Sequence, residues 1–122
     1  MKLEGTKLEN FTPVQSIPEL QTIDQKVGTG EEAKSNSTVT LDYTGAVAAT
    51  GVIFQSSLDG GQPITYPLDK FVPGFTQGVT GMKVGGTRRI LIPYLLAYKD
   101  HPPPGIPSNA DLVFDVTLHK VQ

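Results

Sequence analysis

The sequence contains no cysteine, which excludes disulfide bonds, thiol catalysis and thiolate metal sites. Charge is also scarce, since charged residues make up 18% of the 122 residues and the formal net charge is −2. Without a basic surface to hold a phosphate backbone, nucleic acid is not an expected partner. No run approaches the ~20 apolar residues of a membrane span, so we expect no membrane partner for this sequence.

The N-terminal residues show no apolar signal region. The expected compartment is therefore the cytoplasm, with an exported or membrane-anchored protein as the alternative if a signal or anchor precedes Met1. Nothing in the sequence indicates more than a monomer.

Glycine and proline are abundant, with 13 and 10 residues respectively, which together are nearly a fifth of the chain. This composition indicates many turns. At this length we expect one domain with a single core. Residues 1–19 contain two prolines and show no sustained hydrophobic period. We therefore predict an N-terminal extension over residues 1–19, lying along a domain of residues 20–122 without contributing a core element.

One stretch, Asp69–Val79, favours a short helix. Pro73 suits the first helical position, where its missing N–H is not needed, and Gly78 is suited to end the helix. The apolar residues then lie on or beside one helix face: Phe71, Val72, Phe75 and Val79. Such a face requires a concave apolar surface to pack against.

Alternation of apolar and polar residues predicts strands over much of the remaining chain. The clearest are residues 38–44, stopped at Gly45, and residues 112–119, whose apolar side chains share one face. Shorter strands are predicted at residues 20–27 and 64–66, both suited to an edge of the sheet, and at residues 52–55. A further strand is predicted at residues 88–92, whose apolar density indicates a central position in the sheet. Residues 94–108 contain four prolines, so we expect a long irregular loop there. The predicted fold is an α+β domain, an antiparallel β-sheet of five to six strands with one short α-helix on its concave face.

Familiar catalytic and metal-binding motifs are weak or absent. Residues 81–87 lack the lysine that directly precedes the threonine of a phosphate-binding loop, and they precede a strand, where such a loop must precede a helix. His101 and His119 stand apart from any acidic or histidine cluster, so they are interpreted as surface residues, and no metal or cofactor is expected. Ser56 and Ser57 lack an elbow motif and are interpreted as turn residues.

Aromatic residues are the remaining candidates for a site: Tyr43, Phe54, Phe71, Phe75, Tyr98 and Phe114. Any one of them could simply be a core residue, since aromatic side chains dominate core burial. Several, however, lie where predicted strands and the helix give way to loops. This distribution is typical of the walls of an apolar cleft with two phenolic hydroxyls at its rim.

Several short segments then occur in a distinctive order: Tyr43-Thr44-Gly45, Gly51-Val52-Ile53-Phe54 with Ser56-Ser57, Val72-Pro73-Gly74-Phe75, Gly81-Met82-Lys83-Val84-Gly85, Ile92-Pro93 with Leu96-Ala97-Tyr98, Gly105-Ile106-Pro107 and Leu112-Val113-Phe114-Asp115-Val116. In this order they resemble the FKBP-type peptidyl-prolyl cis-trans isomerases, the macrolide-binding immunophilins. The resemblance covers roughly residues 20–122. It implies a twisted antiparallel sheet wrapped around the short helix, with a pocket between them.

The implied activity is rotation about Xaa-Pro bonds during protein folding, with proline-containing polypeptides as substrates and macrolides as possible inhibitors. The resemblance implies catalytic roles for Tyr43, Phe54, Gln55, Val72, Phe75, Tyr98 and Phe114. It implies substrate-binding roles for Phe71 and Ile106. Within this set, the Val72 N–H and the Tyr98 hydroxyl are expected to bind the ligand, and Phe75 is expected to form the floor.

Three positions depart from the family pattern. Gln55 stands where the pattern usually has Asp, and Phe75 replaces a commoner Trp. Lys99-Asp100-His101 and three prolines replace the usual Gly after Tyr98, so a reshaped rim loop is expected. These departures bear on macrolide affinity and peptide preference. They leave open a catalytically weak module that binds proline segments, or a chaperone-like unit on the same fold.

Overall fold

The computed structural model describes residues 2–122 and contains one six-stranded antiparallel sheet. Its strands are β1 (Gln21–Lys26), β2 (Thr38–Val47), β3 (Ile53–Ser56), β4 (Ile64–Pro67), β5 (Thr87–Ile92) and β6 (Leu112–Val121). One α-helix, α1 (Pro73–Val79), is present in the described residues. The predicted fold class is therefore confirmed.

Strands β2 and β6 form the centre of the sheet, whose order is β1-β5-β6-β2-β3 with β4 pairing alongside β2. The predicted inward face of β6 is confirmed, because its alternate apolar residues are all buried: Leu112, Phe114, Val116 and Leu118. A slip of one residue would expose this whole set, which explains why the register is well specified. Strand β5 lies between β1 and β6, as the apolar density of its sequence indicates.

The predicted end of β2 at Gly45 is wrong, because the strand continues to Val47. Ala46 and Val47 still pair with Val113 and Leu112 of β6. Gly45 therefore does not turn the chain. Because Gly45 has no side chain, the rings of Phe54 and Phe114 can pack close to the backbone of β2.

Helix α1 begins at Pro73 as predicted, but it ends at Val79, one residue beyond the predicted end at Gly78. Residues 68–70 form a separate 3-10 turn, and Val79 is the last helical residue. Gly78 is instead a packing position, since a Cβ there would lie 2.5 Å from Cγ2 of Ile90 on β5. The glycine allows the helix to approach the sheet closely.

The main core lies between α1 and the sheet. The helix contributes Phe75 and Val79, and the sheet contributes fully buried residues such as Leu41, Ile90 and Ile92. Burial of each large apolar side chain stabilises the fold by roughly 1.5–3 kcal/mol. This packing holds α1 at a defined place over the sheet.

The N-terminal segment lies on the opposite side of the sheet. Gly5 and Leu8 donate backbone hydrogen bonds of 2.8 Å to the carbonyls of Ile53 and Gly51. Leu8 and Ile17 are only 7% and 3% exposed, and Leu8 belongs to a second buried cluster with Ala46, Ile53 and Val113. The expectation that this segment contributes nothing to a core is therefore wrong, because irregular backbone can bury single residues without a period.

The proline-rich loop after β5 is not wholly irregular. Tyr94–Leu96 form a 3-10 turn, which corrects the expectation of no regular structure in residues 94–108. The loop is closed at its base by a 2.7 Å hydrogen bond from the Asn109 N–H to the carbonyl of Lys99. No helix within residues 2–122 combines the length and the apolar character needed to cross a membrane.

Candidate functional site

A cavity of about 260 Å³, here called the aromatic cavity, opens between α1 and the sheet. Its lining residues are Tyr43, Phe54, Gln55, Tyr66, Lys70, Phe71, Val72, Phe75, Tyr98 and Phe114. The structure thus brings together all the predicted site residues except Ile106. Their individual roles stay predictions.

The walls of the aromatic cavity are rings that support one another. The Phe75 and Phe114 ring centres lie 5.1 Å apart with an interplanar angle of 84°. Phe54 meets Phe114 edge to face at 5.8 Å, and Phe71 lies 4.5 Å from Phe75. Tyr43 meets Phe75 edge to face at 6.3 Å. Edge-to-face pairs contribute about 0.5–1.5 kcal/mol beyond their burial, so the walls are held in place before a ligand arrives.

Gly45 provides the space for these rings on the face of β2. A Cβ at this position would lie 2.6 Å from Cε1 of Phe114 and 2.7 Å from Cζ of Phe54. Both distances are too short for a real contact, so one or both rings would have to move.

Gly45→Ala is therefore expected to weaken the binding of a proline-containing peptide, the ligand that the sequence resemblance implies, severalfold, although every residue lining the aromatic cavity is retained. Overpacking should also reduce the free energy of unfolding by about 1–3 kcal/mol. A peptide-binding titration and urea denaturation would measure the two effects. Gly60→Ala is the matched control, since nothing lies within 4 Å of its Cβ position. Equal peptide affinity in both variants would contradict the assigned geometry.

Several hydrogen-bond donors at the cavity have no protein partner in the part of the chain that the structure describes. Two of them, the backbone N–H of Val72 and the hydroxyl of Tyr98, are the donors that the sequence resemblance implies for ligand binding. Val72 precedes Pro73, and its carbonyl begins the helical hydrogen bonding by accepting from Phe75 and Thr76. Free donors beside an apolar cavity are suited to hold the carbonyl oxygens of a ligand.

The phenols of Tyr43 and Tyr98 are protonated at neutral pH. Burial raises the pKa of Tyr98 above the ordinary value of 10.0. Burial also raises the pKa of Tyr43, and the nearby Tyr98 adds to the shift. Because the neutral form is favoured in each case, both hydroxyls are available as donors at physiological pH.

Ile106 is not among the residues that line the aromatic cavity, so its substrate-binding role stays a prediction. Ile106 is 8% exposed and packs into the main core. Its N–H bonds the carbonyl of Pro103 at 3.3 Å, so the proline-rich loop turns this side chain inward. The sequence predicts a loop here but not which side chain that loop buries.

Sequence reasoning also missed two lining residues, Tyr66 and Lys70. The Tyr66 ring lies 5.1 Å from the Phe71 ring, so it continues the aromatic wall towards β4. An aromatic residue on a predicted edge strand is a weak signal for a site. The face on which it lies depends on how β4 pairs with β2.

The serines and histidines make structural contacts. Ser56 caps a short 3-10 turn by accepting the Leu58 N–H at 3.2 Å, which agrees with its interpretation as a turn residue. Ser57 donates a 2.6 Å hydrogen bond to Asp42, and His119 lies 2.9 Å from the other oxygen of that carboxylate. His119 therefore contacts an acid rather than a serine. Residues 2–122 hold no group of three or more side chains placed to bind a metal.

A larger cavity of about 730 Å³ lies on the opposite face, between residues 3–9 and strands β2 and β6. Two of its carboxylates already have partners, since Asp115 pairs with Arg89 at 2.7 Å and Asp42 bonds Ser57 and His119. Because the larger cavity lacks the ring cluster, we assign the candidate site to the smaller aromatic cavity.

A sheet that wraps one short helix, with a ring-lined cavity beside the free Val72 N–H and Tyr98 hydroxyl, defines a class of domain that is suited to bind a small apolar group flanked by carbonyls. The model of the FKBP-type peptidyl-prolyl cis-trans isomerases matches residues 29–119. The chain belongs to this family.

Relatives of known name agree with this membership. The chain is 43% identical over 98 residues to the FKBP-type peptidyl-prolyl cis-trans isomerase FkpA of Aeromonas hydrophila, covering 80% of this chain and 36% of the relative. It is 40% identical over 121 residues to FK506-binding protein 4 of Neurospora crassa, covering 95% of this chain and 26% of the relative. The chain thus spans only about a quarter to a third of the length of these curated relatives.

Solved structures show the same fold. The crystal structure of FkpA from Escherichia coli has a TM-score of 0.80 and 35% identity, covering 95% of this chain and 53% of that one. The crystal structure of AtFKBP13 has a TM-score of 0.78 and 29% identity, covering 88% of this chain and 96% of that one.

Proposed function

We propose that this chain is a peptidyl-prolyl cis-trans isomerase that accelerates rotation about Xaa-Pro bonds in polypeptides. Membership of the family supports the proposal, and the single observation that carries it is the aromatic cavity with the free Val72 N–H and Tyr98 hydroxyl beside it. Residues 20–122 are the proposed isomerase domain, with residues 1–19 as an N-terminal extension.

The reaction needs a suitable environment rather than a nucleophile. Conjugation gives the peptide bond a rotation barrier of ~20 kcal/mol, and uncatalysed Xaa-Pro exchange takes tens to hundreds of seconds. In the twisted transition state the amide has lost conjugation and is less dipolar. A dry, apolar cavity therefore favours the transition state over the planar ground state. No bond is made or broken, so paired acids and bases are unnecessary.

The lining residues divide into two roles in this proposal. Phe54, Phe75 and Phe114 hold the prolyl ring and exclude water from it. The Val72 N–H and the Tyr98 hydroxyl donate hydrogen bonds to the carbonyls on either side. Fixing these carbonyls lets the remaining bond rotate while the prolyl ring stays in place.

The deciding experiment measures cis-to-trans exchange of a short peptide with an apolar residue before proline, by NMR or a protease-coupled assay. Because relatives are named for FK506 binding, we further propose that this macrolide competes for the aromatic cavity. Acceleration that the drug blocks would support both proposals. Acceleration without inhibition would refute the proposal of macrolide competition and would implicate Gln55 and the rim loop. No acceleration by folded protein would refute the isomerase and favour a module that only binds proline segments.

Tyr98→Phe is expected to reduce kcat/KM by about two- to tenfold, the effect of one hydrogen bond of roughly 0.5–1.5 kcal/mol. Stability should not change, because the lost hydroxyl has no protein partner in the described residues. Tyr94→Phe is the control, since Tyr94 is 37% exposed and does not line the aromatic cavity. Peptide exchange kinetics with both variants provide the comparison. Unchanged kcat/KM in Tyr98→Phe would remove this hydroxyl from the mechanism.

A further inference from the structure

Lys70 is the one charged side chain among the residues that line the aromatic cavity. The other lining residues are aromatic or apolar apart from Gln55, which is neutral, and the phenols of Tyr43 and Tyr98 are protonated at neutral pH. Lys70 is exposed and forms no ion pair within residues 2–122. The cavity therefore carries one positive charge that no protein acid balances by direct contact.

The backbone around Lys70 is well anchored. Lys70 ends the 3-10 turn of residues 68–70, whose first residue, Leu68, is fully buried. The Leu68 carbonyl accepts a 2.7 Å hydrogen bond from the Thr76 hydroxyl, which ties the turn to α1. Lys70 thus leaves the backbone at a defined point, two residues before the free N–H of Val72.

Neighbouring rings extend the surface on this side. Tyr66 on β4 is about half exposed, and its ring lies 5.1 Å from that of Phe71. A substrate polypeptide held by the Val72 N–H would pass beside these rings and within reach of the Lys70 ammonium. The shelf formed by Tyr66, Lys70 and Phe71 therefore offers an apolar contact and a cation to the residues next to the bound proline.

We propose that Lys70 makes the site selective for proline segments that carry a carboxylate close to the prolyl residue. This inference rests on the proposed isomerase function and names its substrate class. An acidic side chain gains a favourable contact with the ammonium, while a basic side chain meets a like charge in a cavity with no lining acid to offset it.

The expected preference is moderate because Lys70 is exposed to solvent. An exposed pair of opposite charges changes an equilibrium by about two- to fivefold. Salt screens such a pair, and the Debye length falls to about 3 Å at 1 M ionic strength. The preference should therefore be largest at low salt and should largely disappear near 1 M.

The test compares peptides with Glu, Gln or Lys placed in turn at each residue flanking proline, measured by NMR exchange at low and high salt. At one or more positions we expect kcat/KM for Glu to exceed that for Lys by about fivefold at low salt. Lys70→Gln should bring the ratio close to one, and Lys70→Glu should invert it. Lys120→Gln is the control, since Lys120 is an exposed lysine on β6 away from the cavity, and it should keep the full preference.

The outcomes separate this inference from the proposed function. If the neutral peptide is accelerated but Glu and Lys peptides are turned over equally at every position, the role of Lys70 is refuted and the isomerase stands. A preference that survives in Lys70→Gln would also refute the role of Lys70 and leave the isomerase standing. If no peptide is accelerated by folded protein, the proposed function fails and this inference fails with it.

Discussion

Replacing Phe114 by alanine is expected to lower kcat/KM for peptide isomerisation by about 10- to 100-fold. The Phe114 ring lies against Phe54, Tyr43 and Phe75, so its loss opens the inner wall of the aromatic cavity to water. The estimate corresponds to losing roughly 1.5–3 kcal/mol of apolar contact with the prolyl ring. Peptide exchange followed by NMR measures the effect directly.

The same substitution is expected to weaken the fold, since truncating a buried Phe costs about 3–5 kcal/mol. Activity should therefore be measured at a temperature where circular dichroism shows the variant to be folded. Val113→Ala is a matched control, because Val113 is the adjacent residue of β6, fully buried in the cluster on the other face of the sheet. It should lose stability but keep its activity. A folded Phe114→Ala variant with full activity would refute the assignment of the prolyl site.

Gly28→Ala is expected to lower the free energy of unfolding by about 3 kcal/mol, a large share of the 5–15 kcal/mol typical of a domain. A Cβ at Gly28 would collide with the backbone carbonyls of Lys83 and Val84 and lie 2.6 Å from the Gly86 nitrogen. All of these atoms belong to the main chain, so no side chain can rotate away to relieve the clash.

Urea denaturation would measure this loss. The effect should fall on stability rather than on chemistry, because Gly28 is not part of the lining of the aromatic cavity. Gly60→Ala is again the control and should change the free energy of unfolding by less than about 0.5 kcal/mol. A Gly28→Ala protein as stable as the Gly60→Ala protein would contradict the close crossing of these two segments.

Local patterns predicted the regular elements well. The inward face of β6 follows from period-two alternation, and the start of α1 follows from the fixed φ of Pro73. Both features depend on residues within a few positions of one another. The same is true of the central position of β5, whose apolar density reflects burial.

Glycines were harder to interpret from sequence. Gly45 and Gly78 were both expected to end an element, yet each lies inside one. The reason for each glycine is a contact with another part of the chain, the Phe54 and Phe114 rings for Gly45 and the Ile90 side chain for Gly78. A pattern confined to neighbouring residues contains no information about such contacts.

By itself, the sequence determined the fold class, the family and most of the residues that surround the aromatic cavity. Only the tertiary structure decided that Ile106 turns into the core, that Tyr66 and Lys70 extend the cavity, and that Leu8 is buried behind the sheet. The physical reason is that strand and helix periods are set by neighbouring residues, whereas loop and edge side chains take their direction from distant packing partners. The tertiary structure alone therefore places the positive charge of Lys70 at the aromatic cavity.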